Sequence, residues 1–108
     1  MDIKKFQEEV VRTFGEMGKA PNRKDHTKQS AMIHLTEEVG EIARQITSDY
    51  HRPEKFDKEN LGEELSDAMM YLVLLAEMYN IDISKEMEKP VKKVEEGAIT
   101  LKGKSSKD

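Results

Sequence analysis

Two short acidic segments hold the residues best suited to do chemistry, Glu37-Glu38-Val39-Gly40-Glu41 and Glu63-Glu64-Leu65-Ser66-Asp67. Each contains a carboxylate pair spaced i, i+3: Glu38 with Glu41, and Glu64 with Asp67. On a helix such positions share one side a turn apart, so each pair aims at one place. Two such helices packed antiparallel bring four carboxylates together, and unneutralised charges gathered in a partly buried site are unfavourable. No matching set of cationic side chains is evident to neutralise them. A hard, oxygen-loving divalent cation is the fitting partner, Mg²⁺ first and Mn²⁺ next.

Helical phase chooses among the glutamates. Counting about 100° per residue, Glu38 flanks the apolar stripe of its helix, Glu41 lies further round on the same side, and Glu37 points nearly opposite. Glu64 and Asp67 form a stripe that continues into Tyr71, whereas Glu63 points away. Gly40 inside a helix is less stable than Ala by about 1 kcal/mol, which predicts close approach of another helix or a ligand there. His34 lies one turn before Glu38 and is read as a surface or core-edge residue. A chain with 37% charged residues shows Glu-x-x-Glu by chance, and Glu86, Glu88, Glu95 and Glu96 are read as solvated surface. What sets the two pairs apart is that both flank apolar stripes.

The elements that must position these groups are all helical, since no segment alternates like a strand. A first helix over about residues 2–18 carries Ile3, Phe6, Val10, Phe14 and Met17 on one face, with Asp2 as N-cap. After the polar connection 19–25, a second helix over about 26–49 presents Ala31, Met32, Leu35, Val39, Ile42, Ala43 and Ile46. The stretch around Pro53 breaks it. Asp57 caps a third helix running to about Asn80, with Leu61, Leu65, Ala68, Leu72, Leu75 and Tyr79 as its core face. Met69, Met70, Val73, Leu74 and Met78 add apolar groups on its other sides, more than one chain covers. The expected state is therefore a four-helix protomer in a helical-bundle dimer, or a dimer of dimers. Ser84 caps a shorter fourth helix with Met87, Val91 and Val94, kinked or delayed by Pro90. Residues 1–97 read as one domain and 98–108 as a polar disordered tail.

Composition narrows the classes further. The 108 residues carry 18 Lys and Arg against 22 Asp and Glu, a formal charge of −4, and no basic block precedes the tail. That pattern argues against a nucleic acid polymer as partner. The longest apolar run, Ala68 to Ala76, is too short to span a bilayer, and Met1-Asp2-Ile3-Lys4-Lys5 leads into no signal-peptide region, so no membrane association and a cytoplasmic location are expected. The absence of cysteine excludes disulfides, thiolate metal sites and a Cys nucleophile.

Glu37-Glu38-Val39-Gly40-Glu41, followed after a linker by Glu63-Glu64-Leu65-Ser66-Asp67-Ala68-Met69-Met70-Tyr71-Leu72-Val73, resembles the Glu-Glu-x-x-Glu and Glu-x-x-Asp signature of the MazG-like nucleotide pyrophosphohydrolases, in the all-α NTP pyrophosphatase superfamily. The resemblance covers roughly residues 1–97. It implies a dimerising helical protomer that hydrolyses a nucleoside triphosphate to the monophosphate and pyrophosphate with Mg²⁺. By that resemblance Glu38, Glu41, Glu64 and Asp67 are the metal ligands, and Tyr71 matches a nucleotide-contacting position. The last helix departs from the pattern. Lys92 and Lys93 are present, with Lys93 the match for a phosphate contact, but no Asn follows Asn80, and Glu95-Glu96-Gly97 stands where an Arg-Tyr pair is common. In the implied reaction Glu38 or Glu41 takes the proton of an attacking water.

Two enzyme classes drop out. A di-iron carboxylate bundle needs Glu-x-x-His, and no Glu here precedes a His by three residues. A P-loop needs Gly-x-x-x-x-Gly-Lys, which is absent. The serious competitor is a noncatalytic helical oligomer, a binding or regulatory module whose acidic stripes are solubilising faces.

Overall fold

Helix α1, Ile3–Gly18, starts where the sequence predicts, because the Asp2 carboxylate accepts the Lys5 backbone N–H at 2.8 Å. The structure, a computed structural model, describes residues 1–18 and 27–97, without the side chain of Met17. The connection 19–25 and the tail 98–108 therefore lie outside the described residues. Helix α2, Lys28–His51, is capped by the Thr27 hydroxyl, which accepts from Ser30 N at 3.0 Å. A single 3₁₀ turn, Pro53–Lys55, carries the chain to Asp57, whose side chain accepts from Asn60 N and opens α3, Lys58–Met78. Helix α3 ends with Asn80 in the left-handed region, φ 58°, and Ile81 N reaching back to the Ala76 carbonyl. All elements among the described residues are helical, and no helix there is long and apolar enough to cross a membrane.

The fourth helix of the sequence reading is present in two pieces, α4, Ile83–Glu86, and α5, Glu88–Glu95. Its cap is Asp82 rather than Ser84, since the Asp82 carboxylate accepts from Ser84 N at 3.0 Å. Pro90 explains the break at Met87. It has no N–H to donate to the Glu86 carbonyl, and its ring crowds that carbonyl.

The core is small: Val10, Ala31, Val73 and Leu74, with Phe6, Phe14, Met70 and Leu75 packed around it. Helix α3 is central, with α2 along one side and α1 along another. This arrangement corrects the predicted stripe of α3. Val73, Leu74 and Ala76 are buried and Met70 is half-buried, whereas Leu65, Leu72 and Tyr79 are about half exposed. The reason is that α1 lands on the Met70, Val73 and Leu74 side, which sequence reasoning assigned to a second subunit. On α2, Ala31 and Leu35 are buried, while Met32, Val39 and Ile46 stay exposed.

Gln7 is the fastener that periodicity did not reveal. It is 7% exposed on the apolar side of α1. Its amide donates to the Ile81 carbonyl at 2.9 Å and to Glu77 Oε2 at 3.2 Å, and accepts from Ile83 N at 3.1 Å. One side chain thus ties α1 to the α3–α4 link and satisfies backbone groups that burial would otherwise orphan.

Candidate functional site

Contacts along the seam of α2 and α3 establish both direction and register. Gln45 Oε1 accepts from Asp57 N at 3.1 Å, Glu41 faces Glu64, Glu38 feels the charge of Asp67, and His34 stacks on Tyr71. Numbers fall along α2 as they rise along α3, so the helices are antiparallel. The two acidic segments meet as the spacing predicts.

Glu64 is buried at 6% exposure, and its Oε1 has no hydrogen-bond partner; Glu38 is half-buried, and its Oε2 is likewise enclosed without a partner. Burial pushes the Glu38 carboxyl above its ordinary range, and the charges of Glu41, Asp67 and Glu37 push it further, against a smaller opposite pull from His34. Burial likewise raises Glu64, followed by its contact with the Glu41 carboxyl and the charges of Glu41 and Glu38; Arg44 pulls it down. Glu41 and Asp67 lie at the exposed edge of the groove. The Tyr71 hydroxyl is raised by burial first and then by Glu38, Asp67 and Glu37, which places it within the field of the cluster.

Sheltered anionic oxygens lacking donors, held among like charges, fit a site that takes up a cation. As placed, no three His, Asp or Glu side chains among the described residues converge in metal-holding geometry. The donor set fits a hard divalent ion by its chemistry, all carboxylate oxygen and no sulfur.

Two expectations end differently, and a third is sharpened. Lys93 is exposed on α5, whose substantial packing within the chain is on α4 alone, so the structure does not bring it to the four carboxylates. A Cβ built on Gly40 would meet nothing within 4 Å, so the close approach expected there is not made by the described residues of this chain. His34 takes the core-edge alternative of its expectation, half-buried with its ring 5.5 Å from that of Tyr71 and nearly parallel. The signal was its position one turn before Glu38, opposite an aromatic residue one turn after Asp67. A hollow of about 540 Å³ lined by Lys4, Gln7, Arg12, Glu77 and Asp82 holds none of the acidic four, and its buried amide, Gln7, is already satisfied.

The model of the MazG nucleotide pyrophosphohydrolase domain matches residues 26–98, a span that contains both acidic segments and the seam between them. This chain belongs to the MazG family. A relative, the "Uncharacterized protein YpjD" of Bacillus subtilis (strain 168), is 34% identical over 87 residues, covering 78% of this chain and 73% of that protein. Its name states no activity. No solved structure matches. Membership supports nucleotide pyrophosphohydrolase chemistry in general.

Proposed function

We propose that this MazG protein is a Mg²⁺-dependent hydrolase that converts a nucleoside triphosphate to the monophosphate and pyrophosphate, acting on the cytoplasmic nucleotide pool, with residues 1–97 as its functional unit. The observation that carries the reading is the pair of enclosed, partnerless carboxylate oxygens, Glu38 Oε2 on α2 and Glu64 Oε1 on α3, in side chains close enough for the charge of Glu38 to act on Glu64.

Glu38, Glu41, Glu64 and Asp67 hold the metal in this reading, with Mn²⁺ the nearest substitute. When bound, Mg²⁺ supplies charge neutralisation for the phosphates and lowers the pKa of a coordinated water. Glu38 or Glu41 then accepts the proton from the attacking water. Glu64 is buried and Glu38 half-buried, whereas Glu41 and Asp67 lie at the open edge, the side from which the polyanion would approach in this reading. Tyr71, beyond the acids, borders the space for the nucleoside end. Arg44, whose charge acts on Glu64, is a candidate to meet the departing pyrophosphate in this reading, with Lys55 the alternative. Lys93 can meet phosphate only if α5 reaches a site other than its own.

The active species in this reading is a homodimer. Val39 and Ile46 on α2 and Leu65, Met69 and Leu72 on α3 are each about half exposed, and a second copy is the simplest cover for them.

The test is a panel of nucleoside triphosphates incubated with Mg²⁺ and scored for pyrophosphate against orthophosphate. Pyrophosphate release is expected, with the ranking naming the base and sugar. Orthophosphate alone, or no product across the panel, overturns the proposal.

A further inference from the structure

Rings from three helices meet beside the acidic seam, and Tyr71 of α3 is their common member. Its centroid is 6.4 Å from that of Phe14 on α1, with the planes tilted by 59°, and 5.5 Å from that of His34 on α2, with the planes 20° from parallel. Phe14 and Tyr71 are half-buried against the core, whereas the His34 side chain keeps 43% of its surface in water. The imidazole is thus the outermost ring. One of its faces is given to Tyr71, and its edge lies near Glu37, Nδ1 being 3.7 Å from Oε1 in a solvated i, i+3 pair of small weight. The far face is left as the part of the ring that meets solvent.

Position along the seam gives that face a use. His34 precedes Glu38 by four residues, about 6 Å along α2, and Tyr71 follows Asp67 by the same interval on α3. The His34 charge acts on Glu38, and the Tyr71 hydroxyl lies in the field of Glu38 and Asp67. A nucleoside puts a sugar's width, a similar length, between its α-phosphate and its base. At the other end of the acids stands Arg44, whose charge acts on Glu64, and beyond it the Gln45 tie to Asp57. The seam therefore has a cationic end and an aromatic end with the carboxylates between them. A nucleoside triphosphate has the same order: free phosphates, metal-bound phosphate, base.

Other exposed rings do not fit this order. Tyr50 lies nine residues beyond Glu41, and Tyr79, with the Lys28 ammonium over its ring, lies twelve beyond Asp67. Those intervals are about 14 and 18 Å along their helices, too far for the base of a nucleotide whose α-phosphate sits at the acids.

We propose that His34 is the base-stacking residue of this site, the heterocycle of the nucleotide lying on the open face of its imidazole with Tyr71, itself held by Phe14, behind it. A platform already oriented by its neighbours gives up little freedom when the base arrives. Because every base has a π-face, such stacking accepts bases broadly, and what it selects is a nucleotide over a bare polyphosphate. This inference rests on the hydrolase reading above and names the residue that receives the base.

Two measurements on the full-length protein test it. The first is steady-state hydrolysis of a nucleoside triphosphate with Mg²⁺, with inorganic triphosphate as a competitor that has no base. His34→Ala should raise KM by about tenfold or more while kcat and the inhibition constant of inorganic triphosphate stay within about threefold. His34→Phe, which keeps a ring on Tyr71, should keep KM near that of the parent, and Tyr50→Ala should change neither constant. The second measurement needs no turnover. The His34 ring protons, assigned among the three histidines by their loss in His34→Phe, should move upfield with at least one of AMP, GMP, CMP and UMP in the presence of Mg²⁺, and should stay in place with inorganic triphosphate. Equal weakening of nucleotide and inorganic triphosphate in His34→Ala means that the ring only closes the seam, and overturns the platform. Hydrolysis without movement of the ring protons overturns the platform and leaves the hydrolase standing. Movement without hydrolysis of any triphosphate overturns the hydrolase and keeps the platform. With neither, both fall.

Discussion

The imidazole of His34 on α2 stacks on the ring of Tyr71 on α3, with centroids 5.5 Å apart and planes 20° from parallel. The opposite end of the seam is pinned by Gln45, whose side-chain oxygen accepts the Asp57 backbone N–H. Between these two ties lie Glu38, Glu41, Glu64 and Asp67. Like charges placed face to face push helices apart, so a carboxylate seam needs attachments at both ends to stay closed without its cation. The aromatic stack and the amide tie supply them.

Exchanging Glu38, Glu41, Glu64 or Asp67 for Gln or Asn keeps shape while removing one anionic oxygen donor. Mg²⁺-dependent pyrophosphate release should fall at least about a hundredfold in each variant, with helical content retained. Glu37→Gln and Glu63→Gln are the controls, adjacent in sequence but about 100° away around their helices. Steady-state kinetics decides. If Glu37→Gln abolishes turnover and Glu38→Gln spares it, the ligand assignment is off by one position. If all six variants match the parent, the acidic seam has no part in hydrolysis.

The raised carboxyls set a pH dependence of stability in the absence of metal. Glu38 and Glu64 hold their protons more tightly when folded than near the ordinary value of 4.5 that they have unfolded. In the window between those values the folded state binds more protons, so their stabilising contribution is full below about pH 4.5 and is lost as pH rises through the folded values. With chelator present, the thermal midpoint of the parent should fall, relative to that of Glu38→Gln with Glu64→Gln, as pH rises from about 4.5 to 7. Mg²⁺ should reverse the difference at pH 7 by binding the folded state alone. Parallel midpoints for parent and variant across the range would contradict the assignment. Asp82, lowered mainly by its hydrogen bonds from Ser84, contributes in the opposite direction at lower pH and is common to both proteins.

How far the sequence disclosed this depends on the range of the interaction. The Asp2 and Asp57 caps are visible because each acts over three residues, and the phase of Glu38 and Glu64 is visible because it is a property of one helix. What lands on a helix is not. The Val73 and Leu74 side of α3 reads as apolar either way, and only the folded chain shows that α1 covers it while Leu65 and Leu72 stay open. Lys93 is also legible as a cation but not as one held away from the carboxylates, since that depends on where Pro90 breaks the last helix.

Gln7 is the sharpest case of a long-range tie, bonding residues 70 to 76 positions away. Gln7→Leu would leave the Ile83 N–H and the Ile81 carbonyl without this partner in a half-buried place, at a loss of about 1–3 kcal/mol. The thermal midpoint should drop by several degrees, with α1 losing protection from amide hydrogen exchange before α2 does. An unchanged midpoint would mean that water replaces the amide at no net loss.

Gly40 and Gly62 allow the last comparison, because each sits inside a long helix and a Cβ on either meets nothing within 4 Å. With open space and helical φ at both, Ala should stabilise through helix propensity by about 1 kcal/mol, raising the midpoint a few degrees. Gly62→Ala should show that gain in any assembly state in which α3's Gly62 side stays in water. Gly40→Ala should match it in the isolated protomer, produced by adding Leu72→Lys. Should Gly40→Ala stabilise that monomeric background yet destabilise the wild-type assembly, the close approach predicted from the sequence is made by a second copy. Should it stabilise both equally, Gly40 faces solvent throughout and the expectation of a close neighbour there is wrong.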